Sequence, residues 1–206
     1  MSGTVSPLSF QPPEVPEDQA RAGYYALLAR LFYAGPDAKL LEAIAGTGPA
    51  EDAGSAIGET WSALVAAARA TDAQAAQFEY DQLFVGTGKA EVTPYASFYL
   101  TETGREKILV RLRGELADFG LRRADSATEP EDHIAGLFDA MRHLISLGSG
   151  EAALRDQQDF FNRYIARSFE PLCDATSASA KADFYRHVAR FARVFLSVEH
   201  EALKVF

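Results

Sequence analysis

The sequence is poor in residues that staple a fold or bind a metal. A single cysteine, Cys173, stands among 206 residues, which excludes an internal disulfide framework and a cysteine-built zinc cluster. That usage fits a reducing, cytoplasmic setting. The four histidines show no His-Glu-x-x-His spacing, so metalloprotease-type zinc binding has no support. No stretch approaches the ~20 consecutive apolar residues of a membrane helix. Positive charge is also scarce: 20 Lys plus Arg face 29 Asp plus Glu, a net of −9. That sign repels phosphate backbones and argues against a general nucleic-acid binder. Residues 1–20 contain neither Lys nor Arg and are interrupted by Pro7, Pro12, Pro13 and Pro16. They do not read as an export signal. Residues 1–17 are expected to be a flexible lead-in, and the protein to stay in the cytoplasm.

β-Branched aliphatics are the next shortage. Sixteen Val plus Ile stand against 36 Ala, a bias toward helix over strand. The apolar spacing agrees. Ile134, Leu137, Phe138, Met141, Leu144 and Ile145 recur at helical period, as do Phe184, Val188, Phe191, Phe195 and Val198, and Ile108, Leu112, Leu116 and Phe119. Thr71 with Gln74, Thr103 with Glu106 and Thr128 with Glu131 have capping-box spacing, and Pro130 fits a first turn. The pattern predicts helices over 18–34, 37–46, 57–70, 72–85, 103–119, 129–147, 150–169 and 179–201. The expected architecture is all-α: one helical-bundle domain of about eight helices over residues 18–206, with a weak linker at 46–58. A chain of this length buries roughly 70% of its unfolded surface without a staple.

Charge is uneven. Residues 1–104 carry 13 acids and 5 bases; residues 105–206 carry 16 and 15. The acidic half is either a solvated surface or a face for a basic partner.

Three segments could hold chemistry. Val85-Gly86-Thr87-Gly88-Lys89-Ala90 looks like part of a phosphate-binding loop, but position 83 is Leu where Gly is required and position 90 is Ala where Ser or Thr would hold magnesium. It reads as a turn. Glu129, Glu131, Asp132 and His133 could bind a metal or move protons. Adjacent residues on a helix diverge by about 100°, so Asp132 and His133 are expected to serve a helix start instead, the carboxylates complementing its dipole. The passage from Phe78 to Tyr99 places Tyr80, Leu83 and Phe84 on one helical face, followed by a loop with Pro94, Tyr95, Phe98 and Tyr99. Aromatics at helical spacing usually form core; a loop this rich in amphipathic rings also suits a peptide-binding cleft.

Tyr80-Asp81-Gln82-Leu83-Phe84-Val85-Gly86, followed by Thr93-Pro94-Tyr95-Ala96-Ser97-Phe98-Tyr99, resembles the first signature of the TorD/DmsD/NarJ family of redox enzyme maturation proteins. Glu129-Pro130-Glu131-Asp132-His133-Ile134 resembles its second, and Gln158-Asp159-Phe160-Phe161 is similar to a weaker third. The resemblance implies an all-helical cytoplasmic chaperone; no catalytic residue, metal or cofactor is assigned to this chain, and nucleotide or pterin-cofactor binding stays open. Such a chaperone binds the twin-arginine signal peptide or N-terminal region of a molybdoenzyme catalytic subunit, delays its export and aids molybdenum-cofactor insertion. Carried over by position, the peptide-binding residues would be Tyr80, Leu83, Phe84, Pro94, Tyr95, Ser97, Tyr99, Glu129, Asp132 and His133. The single Trp61 and the loop 87–92 depart from the family pattern, which bears on the client's identity. Asp132→Ala is expected to weaken client binding without unfolding the chain. Two other readings stay open: a helical adaptor for some other protein, and an enzyme or nucleotide switch built on His133 and the Gly86–Lys89 turn. Monomer or element-swapped homodimer, with 46–58 as a hinge, is equally open.

Overall fold

The computed structural model describes residues 15–48, 53–86, 90–124 and 128–205. The described residues form ten α-helices and no strand: α1 Pro16–Tyr33, α2 Ala38–Ala45, α3 Ala56–Ala70, α4 Ala73–Tyr80, α5 Ala96–Leu100, α6 Arg105–Asp118, α7 Ile134–Ser146, α8 Glu151–Phe160, α9 Phe169–Ala178 and α10 Phe184–Leu203. Two π-helical turns, Asp81–Val85 and Phe161–Ile165, extend α4 and α8. The all-α expectation is met, with two helices more than the apolar pattern predicted. No helix of the described residues is long and apolar enough to cross a membrane. Most of the lead-in, and parts of the 46–58 linker and of the Gly86–Lys89 turn, lie outside the described residues.

Helix α1 packs along α7, and α10 packs on α3 and α9. The α7 stripe is almost wholly sequestered: Ile134, Leu137, Phe138, Met141, Leu144 and Ile145 are all buried. Facing it, α1 buries Tyr25, Leu28, Leu31 and Phe32, with Phe32 and Phe138 meeting edge to face at 6.1 Å. On α10, Val188, Phe191 and Phe195 are buried, whereas Val198 is exposed because it lies off the buried face, which continues through Leu196, Glu199 and Leu203. Helix α6 lies at the periphery. Of its predicted stripe only Leu112 is fully buried; Ile108, Leu116 and Phe119 are partly covered.

Polar ties between distant segments set boundaries that local pattern does not show. Asp72, and not Thr71, caps α4 by accepting from Ala75 N at 2.9 Å. Helix α10 starts at Phe184, five residues later than its spacing suggested, because its free N–H groups are capped from another helix. The buried Glu79 carboxylate accepts from Asp183 N at 2.8 Å, Phe184 N at 3.1 Å and Tyr185 N at 2.6 Å. Helix α9 occupies residues expected to be loop. Its Pro171 falls in the first turn, where a missing N–H costs little, and Thr176 turns its hydroxyl back to Leu172 O at 2.8 Å. The Arg21 guanidinium joins three helices. It donates to both oxygens of Glu199 (2.8 and 3.0 Å), to Asp18 (2.7 Å) and to Gln157 (3.1 Å). Burial alone would lower the Arg21 pKa, but the Glu199 and Asp18 carboxylates raise it well above the usual value. At Gly35 the α1–α2 turn passes so close to α4 that an added methyl would lie 2.7 Å from the Gln77 Cα.

Candidate functional site

The two signature segments meet through the backbone. Ala96 N donates to Asp132 O at 2.8 Å, Ile134 N donates to Pro94 O at 2.8 Å, and Tyr95 and His133 form an antiparallel bridge. Asp132, 2% exposed, accepts from Ser97 N at 3.3 Å and so caps the short helix α5 from outside it. Its other carboxylate oxygen is buried without a partner. This clasp revises the expected helix start. Glu129–His133 precede α7 instead of forming its first turn, and Glu131 pairs bidentately with Arg113 at 2.8 and 2.9 Å. The N-cap of α7 is His133, whose Nδ1 accepts from Ala135 N at 3.3 Å. An acceptor Nδ1 is unprotonated, and burial pushes the His133 pKa down although Glu129 and Asp132 pull it up.

The π-turn after α4 braces the clasp from below. Gly86 N closes the wide turn on Asp81 O at 2.7 Å, at a positive φ of 64° that glycine tolerates without strain. Val92 N then donates to Leu83 O at 2.9 Å, drawing the 90–95 segment back onto the turn. Leu83 and Phe84 are buried; Phe84 packs on Phe32, Tyr80 and Tyr185 at 5.7, 5.2 and 5.4 Å. The Tyr80 hydroxyl donates to Tyr33 O at 2.7 Å and lies 3.2 Å from Phe32 O, at the end of α1. Tyr99, partly covered, donates to Thr93 O at 2.8 Å. Burial raises its pKa to about 12.

Beside the clasp lies a cleft of about 730 Å³. Its floor is the outer face of α7, with Ala135, Gly136 and Ala140; one wall is the end of α1 with Ala29 and Tyr33, and the other is Leu116, Leu121, Arg122 and Arg123. Glu129, Pro130, Glu131 and His133 close one end, while His143, Ser146 and Leu147 lie two to three turns along α7. Of the ten residues singled out in sequence, Glu129 and His133 line this cleft. Tyr95 reaches it indirectly, its hydroxyl donating to Glu129 Oε2 at 2.5 Å. Burial and the Glu129 carboxylate together raise the Tyr95 pKa to about 12. Tyr80, Leu83, Phe84, Pro94, Ser97 and Asp132 lie buried behind these residues. Charge in the cleft is mixed, with Arg122, Arg123 and Arg142 beside Glu129, Glu131 and Asp139. Asp139 is paired with Arg142 at 3.1 Å. Glu129 makes no ion pair among the described residues.

Sequence reasoning missed Tyr33 and the small-residue face of α7. A signal for the latter was present: Gly136, Ala140, His143 and Leu147 recur at helical spacing opposite the core stripe. Tyr33 carried none, since it follows the core residue Phe32 at a helix end.

The described residues thus form an all-helical bundle with a cleft beside two clasped motifs. The sequence profile of the nitrate reductase delta subunit family matches residues 50–174, and the chain belongs to that family, the TorD/NarJ family whose signatures it carries. A chaperone protein TorD of Vibrio parahaemolyticus is 25% identical over 130 residues, 59% of this chain and 60% of that protein. A chaperone protein TorD of Vibrio cholerae is 28% identical over 148 residues, 66% and 67% of the two chains. The match thus spans about 60% of the length of the first relative. In fold, the chain is similar to the crystal structure of a candidate redox enzyme maturation protein from Archaeoglobus fulgidus, with a TM-score of 0.54 and 22% identity over 94% of this chain and 98% of that one.

Proposed function

We propose that this chain is a non-enzymatic maturation chaperone for a molybdoenzyme, and that its cleft receives the twin-arginine N-terminal region of the client before export from the cytoplasm. Family membership and the TorD relatives support the chaperone role. The observation that carries the site is the clasp: two motifs about 30 residues apart in sequence are paired so that their accessible edge closes one end of the 730 Å³ cleft.

The shape of the cleft suits a helix. Its floor follows α7, whose 13 residues span about 20 Å, and the small side chains there allow a second backbone to approach closely. Burying each Leu-sized side chain is worth roughly 1.5–3 kcal/mol, while an exposed ion pair gives about 0.2–1 kcal/mol. Micromolar binding needs about 8 kcal/mol. The apolar stretch of a signal peptide therefore supplies most of the affinity, and charge at the clasped end sets its direction. Asp132 contributes by holding the clasp, which is how its replacement by Ala would weaken binding.

Gly136 offers the direct test. A Cβ there would meet only Glu131 O, at an ordinary 3.5 Å, so a larger side chain projects into the cleft without disturbing the core. Gly136→Ala is expected to bind a twin-arginine signal peptide as the parent does. Gly136→Leu is expected to keep its melting temperature and lose at least about tenfold in affinity by calorimetry, ~1.4 kcal/mol. Equal affinity for both variants would remove the cleft from the account.

A further inference from the structure

Helix α6 is the least anchored wall of the cleft. Only Leu112 of its 14 residues is fully buried, whereas eight of the 13 in α7 are. It packs mainly on the five-residue helix α5, where Arg105 stacks over the Phe98 ring at 5.0 Å. The starts of α5, α7 and α10 are each held by a bond from a distant segment. No such bond holds the start of α6 among the described residues: it follows Gly104, at φ 72° and without a side-chain cap. The other end closes on itself, Gly120 N donating to Ala117 O at 2.9 Å and Leu121 N to Leu116 O at 2.7 Å. There His143 Nε2 lies 3.2 Å from Phe119 O. The helix can therefore detach as a unit.

Charge holds it in place. Arg113 pairs bidentately with Glu131; the Glu131 side chain is 8% exposed and that of Arg113 61%. Arg123 stands 3.9 Å from the same carboxylate, and Arg163 donates to Glu115 at 2.6 Å. Glu131 belongs to the clasped segment before α7, so the Arg113 pair joins α6 to the rest of the cleft's frame. One turn after Arg113, Leu116 faces the cleft, whereas Arg113 itself is not in its lining. We infer that α6 is a movable wall and that Arg113 sets its position. Paired with Glu131, Arg113 latches α6 with Leu116 against the cleft; released, α6 swings about Gly104 and widens the cleft for an entering segment. Arg113 is thus a positioning residue that acts through Glu131. The gating role rests on the cleft being the client site, while the latch and the motion do not.

The test is amide hydrogen exchange of the full chain by NMR, with the parent, Arg113→Gln and Arg113→Lys. A helix of 14 residues is marginal alone in water, so α6 amides exchange whenever it detaches. In the parent, amides 109–118 should exchange together, at least about tenfold faster than those of α7. Arg113→Gln should speed them a further three- to thirtyfold, roughly, and leave α7 and α10 unchanged. Arg113→Lys keeps the charge without the fork and should fall between. Added salt should speed α6 exchange in the parent more than in Arg113→Gln. Association of a dye-labelled twin-arginine signal peptide, followed by stopped-flow anisotropy, should quicken by the same factors across the three proteins. Mere loss of a repelling charge would leave Arg113→Lys at the parent's rate and overturn the gate. Amides of α6 as slow as those of α7, or faster exchange spread over α7 and α10 in Arg113→Gln, overturn the latch. Faster α6 exchange without peptide binding in any of the three proteins sinks the client reading and leaves the movable wall standing.

Discussion

Replacing Glu79 should show how much of this bundle depends on a cap supplied from another helix. Its carboxylate receives three backbone N–H groups at the start of α10, at 2.6–3.1 Å, and Asp183, the residue in the cap position, makes no side-chain cap of its own. Hydrogen bonds to a charged acceptor are worth about 1.5–3 kcal/mol each, and a negative charge at a helix start adds about 0.3–1 kcal/mol. The three bonds share one carboxylate and will not add fully. Glu79→Ala should therefore cost about 3–5 kcal/mol, well above the ~1 kcal/mol of an ordinary cap. Glu79→Gln retains one acceptor oxygen and should cost about 1–3 kcal/mol. For a chain of this size roughly 2–4 °C is lost per kcal/mol. Urea denaturation followed by circular dichroism, supported by melting temperatures, gives both values. A loss below ~1 kcal/mol for Glu79→Ala would mean that α10 caps itself once the carboxylate is gone.

Leu83, fully buried beneath the clasp, should lose about 2–5 kcal/mol on replacement by Ala; a parent-like denaturation midpoint with lost peptide binding would place it in the cleft instead. Arg21→Met strands the buried Glu199 and Asp18 carboxylates and should cost about 3–5 kcal/mol. The Arg21→Met/Glu199→Met double variant should recover part of that loss, and no recovery would show that the pair is not the source. His133 has a folded pKa below its ordinary 6.5, chiefly because it is buried. Its neutral form is therefore preferred in the fold, and the stability tied to it is present above pH 6.5 and lost as pH falls from there through the lowered value. His133→Asn, which keeps a capping acceptor, should flatten the stability profile in that window, whereas parallel profiles would exclude His133 as the titrating group.

The fold was legible wherever a helix buries its own stripe. The periodicity of α7 and α10 located both, because each buries an apolar stripe whose spacing is written in the helix's own residues, whatever packs against it. Three of the misses share one cause: Glu79 delays α10, Asp132 caps α5, and the Pro94–Ile134 bond moves the start of α7 to residue 134. Each is a polar tie between segments about 35 to 106 residues apart, with no local signature. The site was half legible for the same reason. Motif residues such as Leu83 and Asp132 stood out as chemistry but are buried supports. The residues that open onto the cleft, Tyr33, Gly136 and Ala140, look in sequence like an ordinary helix end and ordinary small residues. Capping boxes at Thr103 and Thr128 matched in spacing only: Gly104 precedes α6 in a left-handed conformation, φ 72°, and Thr128 lies six residues before α7.

The central claim is that the cleft binds a molybdoenzyme client through its twin-arginine N-terminus. It is tested most directly by affinity purification of tagged parent, Gly136→Ala and Gly136→Leu proteins from the native host, grown on alternative electron acceptors, with co-purifying chains sequenced from their N-termini. The account predicts a molybdoenzyme catalytic subunit still carrying its uncleaved twin-arginine segment with the parent and with Gly136→Ala, and its loss with Gly136→Leu. Recovery of that subunit with all three proteins, or of an unrelated helical protein in its place, would contradict it.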